Sequence, residues 1–254
     1  MSSTIRGVVP PLAIPLKDSE LDVPSLERHI NRMIDAGLDG LFVSGSTGEV
    51  AFSTAERRAQ IQREAVRIVD GRIPLLVGVI DTETERVIEN IKAVEEIGGA
   101  TGVVATAPFY ALGGETEVER HFRLLKENTS LELWAYDIPV CVHTKLSPDL
   151  LMRLGRDGVI DGVKDSSGDD VAFRWLCRAN EAAGHPLQLL TGHEVVVDGA
   201  YMSGADGSVP GLANVDPEGY VRQWQAYERR DWEAVRTEQD RLADLMRIVQ
   251  VKGV

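Results

Sequence analysis

The stretch GVIDGVKDSSG, residues 158–168, runs mostly apolar up to Lys164 and then turns small and polar at once. A short apolar run ended by Asp, Ser and Gly reads as a buried strand opening into a loop. Seven other runs share this form: VVPPLAIPL (8–16), GLFVSG (40–45), LLVGVI (75–80), GVVATAP (102–108), LELWAYDIP (131–139), LQLLTG (187–192) and DGSVPG (206–211). Segments of helical spacing lie between them. In 24–36, Leu26, Ile30, Met33 and Ile34 recur at that spacing, and in 84–97 Val87, Ile88, Ile91, Val94 and Ile97 do the same. Ser53, Thr54, Thr82 and Ser147-Pro148 carry helix-start signals, and Gly37, Gly71, Gly98 and Gly184 helix-stop signals.

Strands that are apolar throughout, rather than on alternate residues, belong to a parallel sheet covered by helices. Eight such β–α units in 254 residues predict an α/β fold, a closed (β/α)8 TIM barrel. A doubly wound open sheet is the alternative, and eight evenly spaced units are more than it needs. The barrel with its active site is expected over residues 1–214. Residues 215–254 then form a short C-terminal helical extension, with helices over about 216–228 and 231–249.

Composition narrows the classes of function. A hydrophobic share of 43% supports a large core, and no apolar run is long enough to span a bilayer. The N-terminal MSSTIRGVVPPLAIPL has no basic region and no A-x-A-like site, so it does not read as a signal peptide. The two cysteines, Cys141 and Cys177, are too few for a disulfide framework, and a cytoplasmic location is expected. A net charge of −13 argues against nucleic-acid binding.

In a barrel, chemistry belongs at the C-terminal ends of the strands. That rule selects Gly45-Ser46-Thr47-Gly48-Glu49, Pro108-Phe109-Tyr110, Tyr136-Asp137-Ile138-Pro139, Lys164-Asp165-Ser166-Ser167-Gly168 and Gly192-His193-Glu194. Of the six lysines, Lys17, Lys92, Lys126, Lys145 and Lys252 fall in loop, helix-surface or tail contexts, and only Lys164 ends a strand. A lysine in a partly desolvated pocket can attack a carbonyl and form a Schiff base, an electron sink for aldol or dehydration chemistry. Alternatively, Lys164 closes an ion pair with Asp165 or Asp137 at the rim. The GSTGE turn offers backbone N–H groups and the hydroxyls of Ser46 and Thr47 to a carboxylate, or is an ordinary strand-to-helix turn. Tyr136 either relays protons to an imine or is an aromatic at the edge of the core.

GSTGE, PFY, YDIP and GVKDSSG, in this order and spacing, resemble the dihydrodipicolinate synthase/N-acetylneuraminate lyase family over about residues 5–249. These are class I aldolase-type (β/α)8 barrels. The resemblance implies that Lys164 captures pyruvate or another 2-keto acid and that Tyr136 relays protons. It implies that Ser46 and Thr47 hold the keto-acid carboxylate, with Ser46 linking Tyr136 to a second tyrosine. Tyr110 matches that tyrosine, which in the family reaches a neighbouring subunit's site, so a homodimer or homotetramer is expected. Val209 matches an apolar wall against the pyruvate methyl. No metal or organic cofactor is implied.

Departures bear on the substrate. Family synthases that condense pyruvate with aspartate semialdehyde carry an arginine where this chain has Cys141, and cysteine cannot make its bidentate contact with a carboxylate. The sialic acid lyases carry a second carboxylate where this chain has Val195, leaving Glu194 as the first. His193 adds a hydrogen-bonding group there, or caps backbone at the rim. Cys141, Val142 and His143 are expected to line the specificity loop, while His29, His121 and His185 read as surface residues. The family commonly runs some tens of residues beyond LMRIVQ, so the extension here is either short or trimmed. The expected activity is a Schiff-base lyase or aldolase on pyruvate or a pyruvate-derived 2-keto acid, such as a 2-keto-3-deoxy sugar acid. Dihydrodipicolinate synthase activity is the second reading, and a non-catalytic metabolite-binding barrel the third.

Overall fold

Proline cuts the first apolar run short. Pro10, Pro11 and Pro15 have no N–H to give a ladder, so the strand expected over 8–16 is only β1 (Gly7–Val8). A small hairpin follows, β2 (Leu16–Lys17) with β3 (Glu20–Leu21). The remaining strands fall on the other runs: β4 (Leu41–Val43), β5 (Leu75–Gly78), β6 (Gly102–Thr106), β7 (Glu132–Asp137), β8 (Gly162–Asp165), β9 (Gln188–Thr191) and β10 (Gly207–Ser208). The computed structural model describes residues 5–250. The outermost positions of the expected division, 1–4 and 251–254, lie outside them.

The sheet runs β1-β10-β9-β8-β7-β6-β5-β4, with every pairing parallel. Its two ends meet. Pro11 bridges Phe42, the Phe42 N–H donates to the Pro10 carbonyl at 3.0 Å, and the Leu12 N–H donates to the Phe42 carbonyl at 2.8 Å. The barrel is therefore closed, and the open-sheet alternative falls away.

Ten α-helices are seen among the described residues: α1 (Val23–Asp35), α2 (Ala55–Val69), α3 (Thr84–Ile97), α4 (Glu115–Glu127), α5 (Pro139–Val142), α6 (Pro148–Arg156), α7 (Asp170–Ala182), α8 (Val197–Ser203), α9 (Pro217–Glu228) and α10 (Trp232–Leu245). Side-chain caps begin them where the sequence has short polar residues. The Thr54 hydroxyl accepts from the Arg57 N–H, and Ser147 accepts from the Leu150 N–H just ahead of Pro148. Helix α3 starts one residue later than Thr82 suggests, because the Glu83 carboxylate takes the Glu85 N–H.

Strand alternation sorts the core into two layers. Phe42, Leu76, Val104, Trp134, Tyr136, Leu190 and Val209 form one cluster inside the barrel. Leu133, Ala135, Val163 and Leu189 face the other way and join the larger layer beneath the helices, which Tyr220 and Trp224 of α9 also enter. His121 belongs to that outer layer and is only 1% exposed, which corrects its reading as a surface residue. It shares the buried stripe Val118, His121, Phe122 and Leu125 of α4. Its Nε2 donates to the Thr106 carbonyl at 3.2 Å, and its Nδ1 accepts from the Thr84 hydroxyl at 3.0 Å. Burial pushes its pKa down to about 4. His29, half-buried against Asn214 at 2.8 Å, departs less from that reading, and His185 is exposed beside Asp206.

Candidate active site

Parallel strands bring all their C-terminal ends to one face, and the candidate residues collect there. Lys164 lies in register with Tyr136 on the neighbouring strand. Both side chains point into the barrel. The Lys164 Nζ stands 4.0 Å from the centroid of the Tyr136 ring and 4.8 Å from that of Phe42. Lys164 is 5% exposed and Tyr136 3%. The expected alternative, a rim ion pair, is not made: the Lys164 Nζ forms no hydrogen bond or salt bridge with any described residue. The carboxylates of Asp137 and Asp165 face Lys145 instead, which lies exposed in a loop as expected but with its ammonium paired to these two buried carboxylates.

The GSTGE turn arrives beside this pair. The Ser46 Oγ is 3.4 Å from the Tyr136 hydroxyl. Phe42 meets the Tyr136 ring edge-on, with centroids 6.1 Å apart. Only glycine fits at position 45, because a Cβ there would lie 2.6 Å from the Phe42 ring. The turn is internally bonded through the Gly48 and Glu49 N–H groups, while the Ser46 and Thr47 N–H groups donate to no described acceptor. Two adjacent free N–H groups with two hydroxyls, all at the exposed lip of the barrel, are chemically suited to a carboxylate. Val209 is buried on the inner wall.

Tyr110 does not join this group within one chain. It is 95% exposed with φ +77°, a strained left-handed conformation for a bulky residue. Leu112 on the same loop, Phe52 after β4 and Val140 in α5 after β7 are also exposed. Cys141 in α5 and His143 at its C-terminal end are exposed, and Val142 between them is buried against the inner cluster. Arg153, the next arginine in sequence after Cys141, pairs with Glu115 and Glu119 on α4 and does not take the place of the one absent there.

Glu194 is largely spoken for. Its Oε2 accepts from the Leu212 N–H at 2.8 Å and from the Tyr220 hydroxyl at 3.2 Å, tying the turn after β9 to the turn after β10. Burial pushes its carboxyl above the usual range, and those hydrogen bonds and the Lys164 charge oppose the shift. A Cβ on Gly211 would stand 3.2 Å from Glu194 Oε1 and 3.5 Å from Thr47 Oγ1, so glycine lets these two groups approach. His193 turns its Nδ1 to Asp170 at the start of α7, 2.9 Å away. Sequence reasoning passed over Phe42, whose only signal is its central place in an apolar run. It also passed over Lys145, whose partners come from two other elements.

Comparison with known proteins identifies the family and the fold. The model of the dihydrodipicolinate synthetase family matches residues 4–254. A 4-hydroxy-tetrahydrodipicolinate synthase of Methanoculleus marisnigri is 29% identical over 245 residues, covering 95% of this chain and 83% of that protein. An uncharacterized DapA-like lyase of Halobacterium salinarum is 33% identical over 238 residues, covering 92% and 76%. Among solved structures, YagE, a prophage protein of the dihydrodipicolinic acid synthase family from E. coli K12 in complex with pyruvate, superposes with a TM-score of 0.94. It is 27% identical, covering 98% of this chain and 84% of that one.

Proposed function

Because the chain belongs to the dihydrodipicolinate synthetase family and is a lyase, we propose that it works through a Schiff base between Lys164 and a pyruvate-derived 2-keto acid. The observation that carries the reading is Lys164 itself: a buried amine over two aromatic rings, with the nearby carboxylates engaged elsewhere. An amine held by ring faces gives up less on attacking a carbonyl than one locked in a buried ion pair.

In this mechanism the neutral Lys164 nitrogen adds to the C2 carbonyl, and the carbinolamine loses its oxygen as water to leave a protonated imine. For a 2-keto-3-deoxy acid, the C4 hydroxyl then loses its proton as the C3–C4 bond breaks. The bonding pair flows into the imine as an enamine, and an aldehyde departs. Protonation of the enamine at C3 and hydrolysis of the imine release pyruvate and restore the amine. Tyr136, between Lys164 and Ser46, carries these protons. Ser46, Thr47 and their N–H groups seat the substrate carboxylate, and Val209 lies against the pyruvyl methyl. Cys141 and His143 lie where the distal end of the substrate is discriminated. A role for Glu194 and His193 is limited to whatever acceptor capacity their present partners leave.

The active unit in this reading is a homodimer or homotetramer, with Tyr110 completing the site of a second copy. The support is its exposure, its strained φ, and the apolar side chains exposed at the same face. The relative from M. marisnigri favours a second reading, condensation of pyruvate with aspartate semialdehyde. Cys141 weighs against it, because the next arginine in sequence, Arg153, is paired on α4 and does not replace the missing anchor.

The test is borohydride reduction in the presence of pyruvate, followed by peptide mapping. A reduced pyruvyl adduct is expected on Lys164, and Lys164→Ala should remain folded and take up none. An adduct on another lysine, or none on folded wild type, would sink the Schiff-base reading.

A further inference from the structure

Behind the reacting pair, on the other face of the same two strands, stands a second charged group. Tyr136 is followed by Asp137 and Lys164 by Asp165, and the register that sets Tyr136 beside Lys164 also sets Asp137 beside Asp165. Side chains alternate along a strand, so these carboxylates point away from the barrel axis. Asp137 is fully buried and Asp165 nearly so. Two carboxylates directly opposite each other on adjacent strands repel.

One ammonium faces both. The Lys145 Nζ donates to Asp137 Oδ2 and lies 3.8 Å from Asp165 Oδ2. It also donates to the Leu146 carbonyl at 3.1 Å, while the Leu146 N–H donates to Asp137 Oδ1 at 3.1 Å, which pins the end of the loop after β7 to its own strand. The other oxygen of Asp165 takes the Ser167 N–H at 2.8 Å and its hydroxyl at 2.7 Å, fixing the turn after β8. Each carboxylate thus has one oxygen on a turn and the other toward Lys145. Burial pushes the Asp137 carboxyl up to about 6, and the adjacent ammonium opposes the shift.

We infer that Lys145 is a positioning residue: by holding Asp137 and Asp165 together behind the sheet, it sets the spacing of Tyr136 and Lys164 in front of it. The inference rests on the Schiff-base reading above. Lys145 touches no reacting atom in it and acts through the residues that follow the tyrosine and the lysine. A small lateral error in near-attack geometry costs about 100-fold in rate, so the brace is expected to register in turnover.

The experiment compares wild type with Lys145→Met, Lys145→Arg and the double variant Asp137→Asn/Lys145→Met. For each, the rate of borohydride trapping of pyruvate at Lys164 is measured, with kcat and KM on the best 2-keto acid substrate. Lys145→Met should trap at Lys164 and turn over about 10- to 100-fold more slowly, with KM changed less than about threefold. Lys145→Arg should recover most of the rate, since a guanidinium also spans two carboxylates. Unchanged trapping and kcat in a folded but less stable Lys145→Met would reduce Lys145 to a structural ion pair and overturn the inference. A raised KM at constant kcat would overturn it too, by making Lys145 a substrate contact. If Lys145→Met does not fold, the double variant, which leaves no buried charge alone at Asp137, decides by the same rates. A wild type that traps nothing removes both readings, whereas wild-type trapping matched by Lys145→Met removes this one alone.

Discussion

Lys164 and Tyr136 sit side by side across β7 and β8, and the lysine ammonium rests 4.0 Å from the tyrosine ring centroid rather than on any carboxylate. A cation over an aromatic face is held by about 0.5–2 kcal/mol, whereas stripping one partner from a buried ion pair costs about 3–5 kcal/mol. The lysine is thus kept in place by an interaction that is cheap to give up, while the stronger pairing is assigned to Lys145 on the far side of the strands.

The ring beneath that pair is itself fixed by position 45. In Gly45→Ala the new methyl would need the space of the Phe42 ring, 2.6 Å away. Overpacking of this kind costs about 1–3 kcal/mol. A lower urea midpoint is expected, together with a kcat loss larger than the stability loss predicts, because Phe42 contacts both Lys164 and Tyr136. Wild-type kcat in a correctly folded variant would show that Phe42 does not set the pair's position.

For Tyr110→Phe, turnover is expected to fall about 10- to 1000-fold without unfolding, in the range of lost acid–base assistance. Mixing this variant with Lys164→Ala under subunit exchange tests whether the residue is shared. A hybrid dimer has one site with an intact Lys164 and the partner copy's intact tyrosine, so activity should reappear. An active monomer, or no recovery in verified hybrids, would leave Tyr110 a local residue.

Cys141 makes the substrate question measurable. A carboxylate entering the distal pocket lacks a charge-assisted contact worth roughly 1.5–3 kcal/mol, or about 10- to 150-fold in binding. Aspartate semialdehyde should therefore be a poor partner, and 2-keto-3-deoxy acids should give the higher kcat/KM. Cys141→Arg should raise activity toward the semialdehyde. Efficient condensation by wild type that is unchanged in Cys141→Ala would show that another group anchors the carboxylate.

His121 predicts a component of acid instability. Its pKa is lowered from 6.5 to about 4 by burial, so the folded state binds its proton less tightly than the unfolded chain. The stabilisation from the neutral ring is present above about pH 6.5 and is lost as the pH falls toward 4, by about 2–3 kcal/mol. Asp137, raised from 3.8 to about 6, titrates in the opposite sense over the same window, gaining stability as the pH falls. The His121 contribution is therefore best read as a difference. Urea unfolding of wild type and His121→Asn at pH 7, 5.5 and 4 should show wild type losing ground to the variant by that amount. A pH-independent difference would mean the buried ring does not titrate in this range.

How much of this was legible depends on where the contacts come from. The eight strands could be read because continuous apolar runs and polar stops are local properties, and the prolines that shorten β1 were visible among them. Lys164 could be read because a lysine ending such a run is locally anomalous. His121 was readable and was missed, since Val118, Phe122 and Leu125 mark its face of α4 as the buried one. Lys145 and Glu194 were not readable. Their environments are made by a turn folding back on β7 beside β8 and by an N–H group eighteen residues away, contacts that no local pattern announces.

That closure has a consequence for how the molecule comes to exist. Gly7 pairs with Gly207, so on one side the first strand joins a segment ~200 residues away, for which loop closure alone costs about 5 kcal/mol. During synthesis the ribosome must deliver β10 before the first strand can find its neighbour on that side. Until then the nascent chain carries an unpaired β1 and the exposed edge of β9, both able to pair with another chain. Refolding is accordingly expected to be slow and concentration-sensitive, limited by the pairing of β1 with β10.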